Sequence, residues 1–274
     1  MREITVSKIK EAVYELSLKA NLILRPDVLR VLRKTLREEK NARAKKILRA
    51  IIENASFARN ESLAICQDTG FITVFMEIGQ DVHVTGGDLN SAVNAGVNEA
   101  YKKGCFRNSI VKDPLLRGKS GYSPIVIHTD IVKGNKIKIT VLPKGFGCEN
   151  KTQLKLFKPT VTEEDVKKFI VQAVKDAGPD ACPPYVVGVG IGGTADFVSL
   201  LAKKALLRNI NLKSSAFEKD LLARINKLNI GPMGLGGKAT CLVVKVETYP
   251  THIAGLPVCV SISCHALRSA TKII

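Results

Sequence analysis

Residues 162–193 constrain the fold more than any other part of the sequence, because a helical pattern passes almost directly into a buried strand. Apolar residues recur at helical spacing over 166–177, Thr162 stands where it can cap the helix, and Gly178 ends it. The run YVVGVGI at 185–191 then has the length and the β-branched content of a strand buried on both faces. This succession predicts helices packed on a sheet.

The rest of the chain continues this mixture of helical and extended segments. Helices are predicted at 5–20, 27–37, 41–57, 86–104, 192–209 and 216–229, and strands at 71–79, 122–132, 136–143, 239–249 and 256–263. Gly134 and Asn135 separate two of these strands and predict a hairpin. The pattern predicts a mixed α/β (α+β) fold in one domain, with a helical part, 1–60, followed by an α/β body, 61–274.

The charge of the chain raises the question of nucleic-acid binding. The formal net charge is +17, and residues 1–60 carry 15 Lys and Arg against 7 Asp and Glu. Aromatic residues make up only 5% and Trp is absent, so no basic and aromatic alternation marks a base-stacking surface. A solvated helix face, attraction of a small polyanionic substrate and docking to an acidic partner subunit also explain such charge. We therefore do not expect nucleic-acid binding.

Hydropathy and cysteine content indicate the compartment. No stretch approaches the roughly 20 uninterrupted apolar residues that a membrane span requires. Seven cysteines, an odd number, fit a reducing cytoplasm better than a disulfide framework, and no Cys-x-x-Cys motif suggests a zinc ribbon. We expect a cytoplasmic protein, with no membrane association, in which some thiols take part in chemistry.

Four segments at the joints between predicted elements combine thiols, polar groups and glycines. They are CQDTG at 66–70, KGFGCENKT at 144–152, DACPPYVVGVGIGGT at 180–194 and THIAGLPVCVSISCHALR at 251–268. Loops on a rigid scaffold are where binding and catalytic residues concentrate. A lone cysteine is more often a small buried apolar residue, and this interpretation is favoured for Cys105, Cys241 and Cys259.

These motifs, together with GLGGK at 234–238, resemble those of the alpha subunit, or N-terminal region, of class I fumarate hydratase and of the related L-tartrate dehydratase. The resemblance runs in order through nearly the whole chain. It implies that a 4Fe-4S cluster is held by Cys66, Cys182 and Cys264. Cys148 stands where many relatives have serine, so the resemblance does not make it a ligand.

The implied chemistry is reversible hydration of fumarate to L-malate, a reaction of the tricarboxylic acid cycle. Three thiolate ligands leave one iron of a cubane open, so that the iron acts as a Lewis acid on the substrate. The resemblance places Gln67 and Asp68 beside that iron, where the amide orients the substrate and the carboxylate assists proton movement.

The resemblance implies further substrate contacts outside CQDTG. Arg107 suits a substrate carboxylate because its planar fork can bond both oxygens, although Arg117 in the same segment is a second candidate. The resemblance also implies that the substrate contacts the backbone of Gly145 to Gly147 and the side chain of His252. It implies a catalytic role for His252 as well.

The full-length family enzyme has a second domain with further catalytic groups, which this sequence does not contain. The resemblance therefore implies a beta subunit, an αβ or (αβ)₂ assembly with the active site formed between the chains, and no activity without the partner. The basic N-terminal helices are a candidate docking surface, and the cluster is expected to be lost easily from an isolated or air-exposed subunit. Dehydration of L-tartrate to oxaloacetate is the alternative activity, and a basic scaffold or nucleic-acid-binding protein is the alternative of another class.

Overall fold

The computed structural model describes residues 1–274 and confirms the mixed α/β fold class. The helices are α1 (Val6–Leu22), α2 (Pro26–Glu38), α3 (Ala42–Asn60), α4 (Leu89–Lys103), α5 (Phe146–Glu149), α6 (Glu163–Ala177), α7 (Ala195–Leu207) and α8 (Ala216–Asn226), with a 3₁₀ turn at Pro232–Gly234. The strands are β1 (Arg2–Thr5), β2 (Phe71–Gly79), β3 (Val82–Thr85), β4 (Ile110–Asp113), β5 (Arg117–Gly121), β6 (Val126–Val132), β7 (Ile137–Lys144), β8 (Gln153–Phe157), β9 (Tyr185–Gly193), β10 (Cys241–Thr251), β11 (Leu256–Ser263) and β12 (Ala270–Ile273). None of the helices is long and apolar enough to cross a membrane.

The chain divides into two compact units. The first unit comprises Met1–Arg25, Ala55–Phe146 and Arg268–Ile274, and the second comprises Pro26–Asn54 and Gly147–Leu267. The division is discontinuous in sequence, so the helical part predicted at 1–60 contributes to both units.

The first unit is built on the sheet β12-β7-β2-β6. Strand β2 pairs in parallel with β6 and antiparallel with β7, and β7 pairs antiparallel with β12. Helices α1 and α4 pack on each other and α1 also contacts β7, so that Val13, Val97 and Ile139 share one apolar core. Two-stranded pairs, β1 with β3 and β4 with β5, complete this unit.

The predicted hairpin between the segments 122–132 and 136–143 is wrong, because β2 lies between β6 and β7. The connection instead passes across the end of β2, where the Asp81 N–H donates to the Gly134 carbonyl at 3.0 Å. A Cβ on Gly79 would lie 2.2 Å from that carbonyl oxygen, so only glycine allows this crossing. The turn at residue 134 is present, but a local turn signal does not determine which strands pair.

The second unit is built on the sheet β10-β9-β11-β8, with β9 parallel to β10 and β11 antiparallel to both β9 and β8. Helix α6 begins with a capping box in which Thr162 and Asp165 bond reciprocally, and it ends at Gly178, as predicted. Side chains alternate along β9. Gly188 and Gly190 face α7, whereas Val187 and Val189 pack in the core that contains residues of α6 and α8.

Candidate active site

The CQDTG segment forms a tight turn that leads into β2. Its glycine is required, because Gly70 has φ +77° and a Cβ there would lie 2.7 Å from the backbone of Lys144 on the neighbouring strand. The Gly70 N–H donates to Asp68 Oδ1 at 3.0 Å, and the Thr69 N–H donates to the Gln67 carbonyl at 3.1 Å. The turn therefore leaves the Gln67 side chain exposed and the Asp68 side chain half-buried.

Asp68 joins this turn to the glycine loop after β7. Its second oxygen, Oδ2, accepts the Phe146 N–H at 2.8 Å. Gly145 passes so close that a Cβ would lie 2.8 Å from the same oxygen. The structure thus brings together Asp68 and Gly145, two residues that the resemblance assigned to substrate binding from separate motifs.

Arg107 is held beside the turn by its backbone. The Thr69 hydroxyl accepts the Arg107 N–H at 3.2 Å and donates to the Arg107 carbonyl at 3.3 Å. The Arg107 backbone thus adjoins CQDTG, and the Arg107 residue is exposed. Arg117, the alternative candidate, is also exposed but lies at the start of β5, with φ +67°.

Thr69 and Tyr101 are functional candidates that the sequence reasoning did not identify. The Tyr101 hydroxyl donates to the Thr69 carbonyl at 2.7 Å from beneath the turn. Burial raises the pKa of Tyr101 to about 12, so the hydroxyl stays protonated and remains a donor. The threonine inside a conspicuous motif was an available signal, whereas the tyrosine lies on α4 with nothing in sequence to connect it to the motif.

A second group of predicted residues meets at one edge of the other sheet. Cys182 precedes β9 and Cys264 follows β11, and these strands are antiparallel with Val186 opposite Ser263. The backbone N–H and the ring Nδ1 of His265 lie 3.4 and 3.0 Å from the Cys182 carbonyl oxygen, so the two cysteine loops are in direct contact. Cys182 itself has φ +56°, which is uncommon for a residue with a side chain.

The remaining residues that the sequence analysis discussed lie elsewhere in the second unit. His252 is exposed in the β10–β11 connection, where its Nδ1 accepts the Ala254 N–H at 3.2 Å. Gly147 is exposed in α5. Cys148, set aside as a ligand, is buried, and its Sγ lies 3.5 Å from the Ala181 carbonyl.

Burial separates the cysteines by their chemistry. Cys66, Cys182 and Cys264 are the three of intermediate exposure, and no disulfide is present. Cys241 and Cys259 are buried as expected, but Cys105 is exposed, so its interpretation as a buried apolar residue is wrong. Burial raises the pKa of the Cys241 thiol to about 12, which suits an inert core residue. Cys66, Cys182 and Cys264 are partly exposed thiols on loops, and thiols are the type of ligand that an iron–sulfur cluster requires. The structure does not, however, gather three His, Cys, Asp or Glu side chains into one metal-binding group.

Comparison with known proteins agrees with these motifs along the whole chain. The sequence model described as Fumarate hydratase (Fumerase) matches residues 10–272. A Methanocaldococcus jannaschii protein with the provisional name L(+)-tartrate dehydratase subunit alpha is 39% identical over 277 residues, which cover 97% of either chain. The L(+)-tartrate dehydratase subunit alpha of Escherichia coli (strain K12) is 31% identical over 278 residues, covering 98% of this chain and 91% of the relative. The chain therefore belongs to the fumarate hydratase (Fumerase) family.

Proposed function

We propose that this chain is the alpha subunit of a two-subunit hydro-lyase that interconverts fumarate and L-malate. The family supports a lyase, and the relatives named as alpha subunits support a beta subunit as partner. The observation that carries the proposal is the position of Asp68, whose carboxylate bonds to both Gly70 and Phe146 and so holds the CQDTG turn against the glycine loop. Gln67, the neighbour of Asp68 in sequence, adds an exposed amide, and Arg107, whose backbone bonds to the Thr69 hydroxyl, adds an exposed guanidinium.

Each of these side chains has a defined task on a dicarboxylate substrate. Asp68 already accepts one N–H on each oxygen, but a carboxylate oxygen has a further lone pair with which to take up a proton from the substrate. The exposed amide of Gln67 can orient a substrate oxygen. The Arg107 guanidinium can bond a substrate carboxylate through two parallel N–H groups.

Cys66, Cys182 and Cys264 would hold the 4Fe-4S cluster. When bound, such a cluster supplies an open iron that polarises the substrate as a Lewis acid. The partial exposure of these three thiols and the contact between the Cys182 and Cys264 loops support this assignment. Because the ligands must be thiolates, the proposal also keeps a reducing cytoplasm as the compartment.

Dehydration of L-tartrate to oxaloacetate is the second candidate activity. The names of the relatives favour it, since the Methanocaldococcus jannaschii and Escherichia coli proteins are both named for L(+)-tartrate dehydratase. Tartrate is also a four-carbon diacid that loses water, so the same carboxylate, amide and guanidinium could serve. Its additional hydroxyl needs a hydrogen-bond partner, which gives the two substrates different demands.

The test is anaerobic co-expression of this chain with its beta subunit, followed by cluster reconstitution and separate turnover assays with fumarate and with L-tartrate. Cys66→Ala is the test variant. Cys105→Ala is the matched control, because Cys105 belongs to the same unit and is exposed outside the proposed ligand set.

We expect fumarate hydration that disappears, together with bound iron, in Cys66→Ala and persists in Cys105→Ala. Turnover of tartrate alone would move the assignment to the second candidate. Absence of both activities and of iron from the reconstituted complex would refute the hydro-lyase proposal, and salt-sensitive retention on DNA would then favour the basic scaffold.

A further inference from the structure

The CQDTG turn rests on a buried polar network whose side chains come from distant parts of the sequence. Arg268, the last residue of the segment 251–268, donates from Nη2 to the Asp68 carbonyl at 2.8 Å, 200 residues away in the sequence. Its Nη1 donates to Asn21 Oδ1 at 3.1 Å. The amide of Asn21 lies 3.4 Å from the Tyr101 hydroxyl, which donates to the Thr69 carbonyl. Three side chains thus support two consecutive carbonyls of the turn.

The environment of Arg268 is unusual for a cation. The residue is only 3% exposed, yet its guanidinium bonds to neutral oxygens alone and its Nε has no hydrogen-bond partner. A buried charge without a carboxylate partner is costly, and a well-packed apolar residue in such a place is often neutral or stabilising. Both hydrogen bonds of this buried cation go to groups of the network under the turn, one to the Asp68 carbonyl and one to Asn21.

The network acts on the backbone next to Asp68 rather than on its carboxylate. The carboxylate is held from the other side by the N–H groups of Gly70 and Phe146. Removing the guanidinium would free the Asp68 carbonyl, so that the peptide could rotate and the two bonds to the carboxylate alone would have to hold the side chain. A displacement of about 1 Å at a catalytic group can reduce turnover about a hundredfold.

We propose that Arg268 is a positioning residue, which holds the Asp68 peptide through its buried guanidinium and is itself oriented by Asn21. The expected effect on turnover rests on the proposed function. The hydrogen bonds that support the turn do not, because they lie within this chain. The guanidinium has no contact with substrate in this role and acts only through the turn.

The test compares Arg268→Met and Arg268→Lys with a matched control, Lys245→Met. Lys245 is a buried cation of the second unit that, like Arg268, donates to one backbone carbonyl and one side-chain oxygen, those of Leu212 and Ser214. Hydrogen exchange of the peptide covering 64–71 is measured in the αβ complex. The kcat and KM for the active substrate are measured per mole of bound iron.

In Arg268→Met we expect exchange in 64–71 to accelerate about tenfold or more, the ratio that loss of a hydrogen bond to a charged group corresponds to. We also expect kcat to fall about a hundredfold with KM changed less than threefold, and partial recovery of both readouts in Arg268→Lys. Lys245→Met should leave exchange in 64–71 and kcat per iron unchanged, whatever it does to the melting temperature.

The two proposals fail in different ways. Equal exchange in 64–71 for the wild type and Arg268→Met would overturn the positioning role, even in a fully active enzyme. Equal losses in Arg268→Met and Lys245→Met would also overturn it, because a general loss of stability would then explain both. If the wild type turned over neither substrate, the proposed function would fail. The exchange measurement would still show whether Arg268 holds the CQDTG turn in place.

Discussion

Replacing Asp68 by asparagine separates the two roles that the carboxylate has in the proposed site. The substitution preserves shape but leaves one oxygen where two are needed. Either the Gly70 N–H or the Phe146 N–H then faces an amide N–H₂ group, because the two donors approach opposite oxygens. The turn loses one hydrogen bond to a charged acceptor in either rotamer, and the carboxylate is lost as a proton acceptor.

The magnitude follows from these two losses. A hydrogen bond to a charged group contributes about 1.5–3 kcal/mol, which lowers the fraction of turns held against the glycine loop by roughly 10–150-fold if nothing replaces it. Loss of a positioned general acid or base costs a further 10²–10⁴-fold in rate as an order of magnitude. We therefore expect kcat in Asp68→Asn to fall by at least about 100-fold.

The assay is steady-state turnover by the αβ complex, normalised to bound iron. Asp113→Asn is the control for loss of the charge alone, since Asp113 in the exposed β4–β5 turn accepts the N–H groups of Leu115 and Leu116 on one oxygen, Oδ1, which asparagine keeps. It should keep kcat within about twofold. If Asp68→Asn retained more than a third of wild-type kcat with normal iron content, the catalytic role of Asp68 would be refuted.

Three further predictions test the surroundings of the site and the core. Gly145→Ala places a Cβ 2.8 Å from Asp68 Oδ2, so kcat/KM should fall about 10–100-fold with little change in melting temperature, and an unchanged value would show that the glycine loop tolerates displacement. Burial alone would raise the pKa of Glu39, but the three backbone N–H groups that donate to it lower that pKa below its ordinary value of 4.5. The ionised Glu39 carboxylate therefore stabilises the fold above pH 4.5, and this stabilisation is lost as the pH falls through the lower folded pKa. In thermal denaturation, Glu39→Gln should melt at a lower Tm than the wild type at about pH 7, and the difference should shrink near pH 3. Iodoacetamide at about pH 8 should modify the exposed Cys105 in the native chain and spare Cys241, whose thiol pKa burial raises to about 12, and mass spectrometry of early labelling at Cys241 would contradict this core assignment.

Local patterns in the sequence predict the elements better than their arrangement. Helix α6 begins after Thr162 and ends before Gly178 as predicted, because its cap, apolar face and terminating glycine all act within a few residues. The short strands β1 and β12 were not predicted, since four residues carry too little periodicity to be recognised. The false hairpin has a similar cause, because pairing depends on the partner that a strand finds and not on the turn that follows it.

The candidate site shows the same division between local and long-range information. Gln67 and Asp68 were identified from their motif, and the buried polar residues beneath it were not. Asn21 was detectable in principle, since it lies with Ser17 one turn away on the buried face of an amphipathic helix. Arg268 ends the segment 251–268, but nothing in that segment links it to CQDTG, because its guanidinium reaches a backbone carbonyl 200 residues away in sequence.

Sheet register explains how distant motifs meet. In an antiparallel pair, the residues before one strand and after the other lie at the same sheet edge. Phe71 lies opposite Lys144, so CQDTG must adjoin the glycine loop, and Val186 lies opposite Ser263, so the loop of Cys182 must adjoin that of Cys264. A slip of one residue in either pair would turn every side chain of the strand to the other face and break these contacts. Burial of the apolar faces of β2 and β9 fixes the register of these strands. That register in turn determines which loops are in contact at the strand ends.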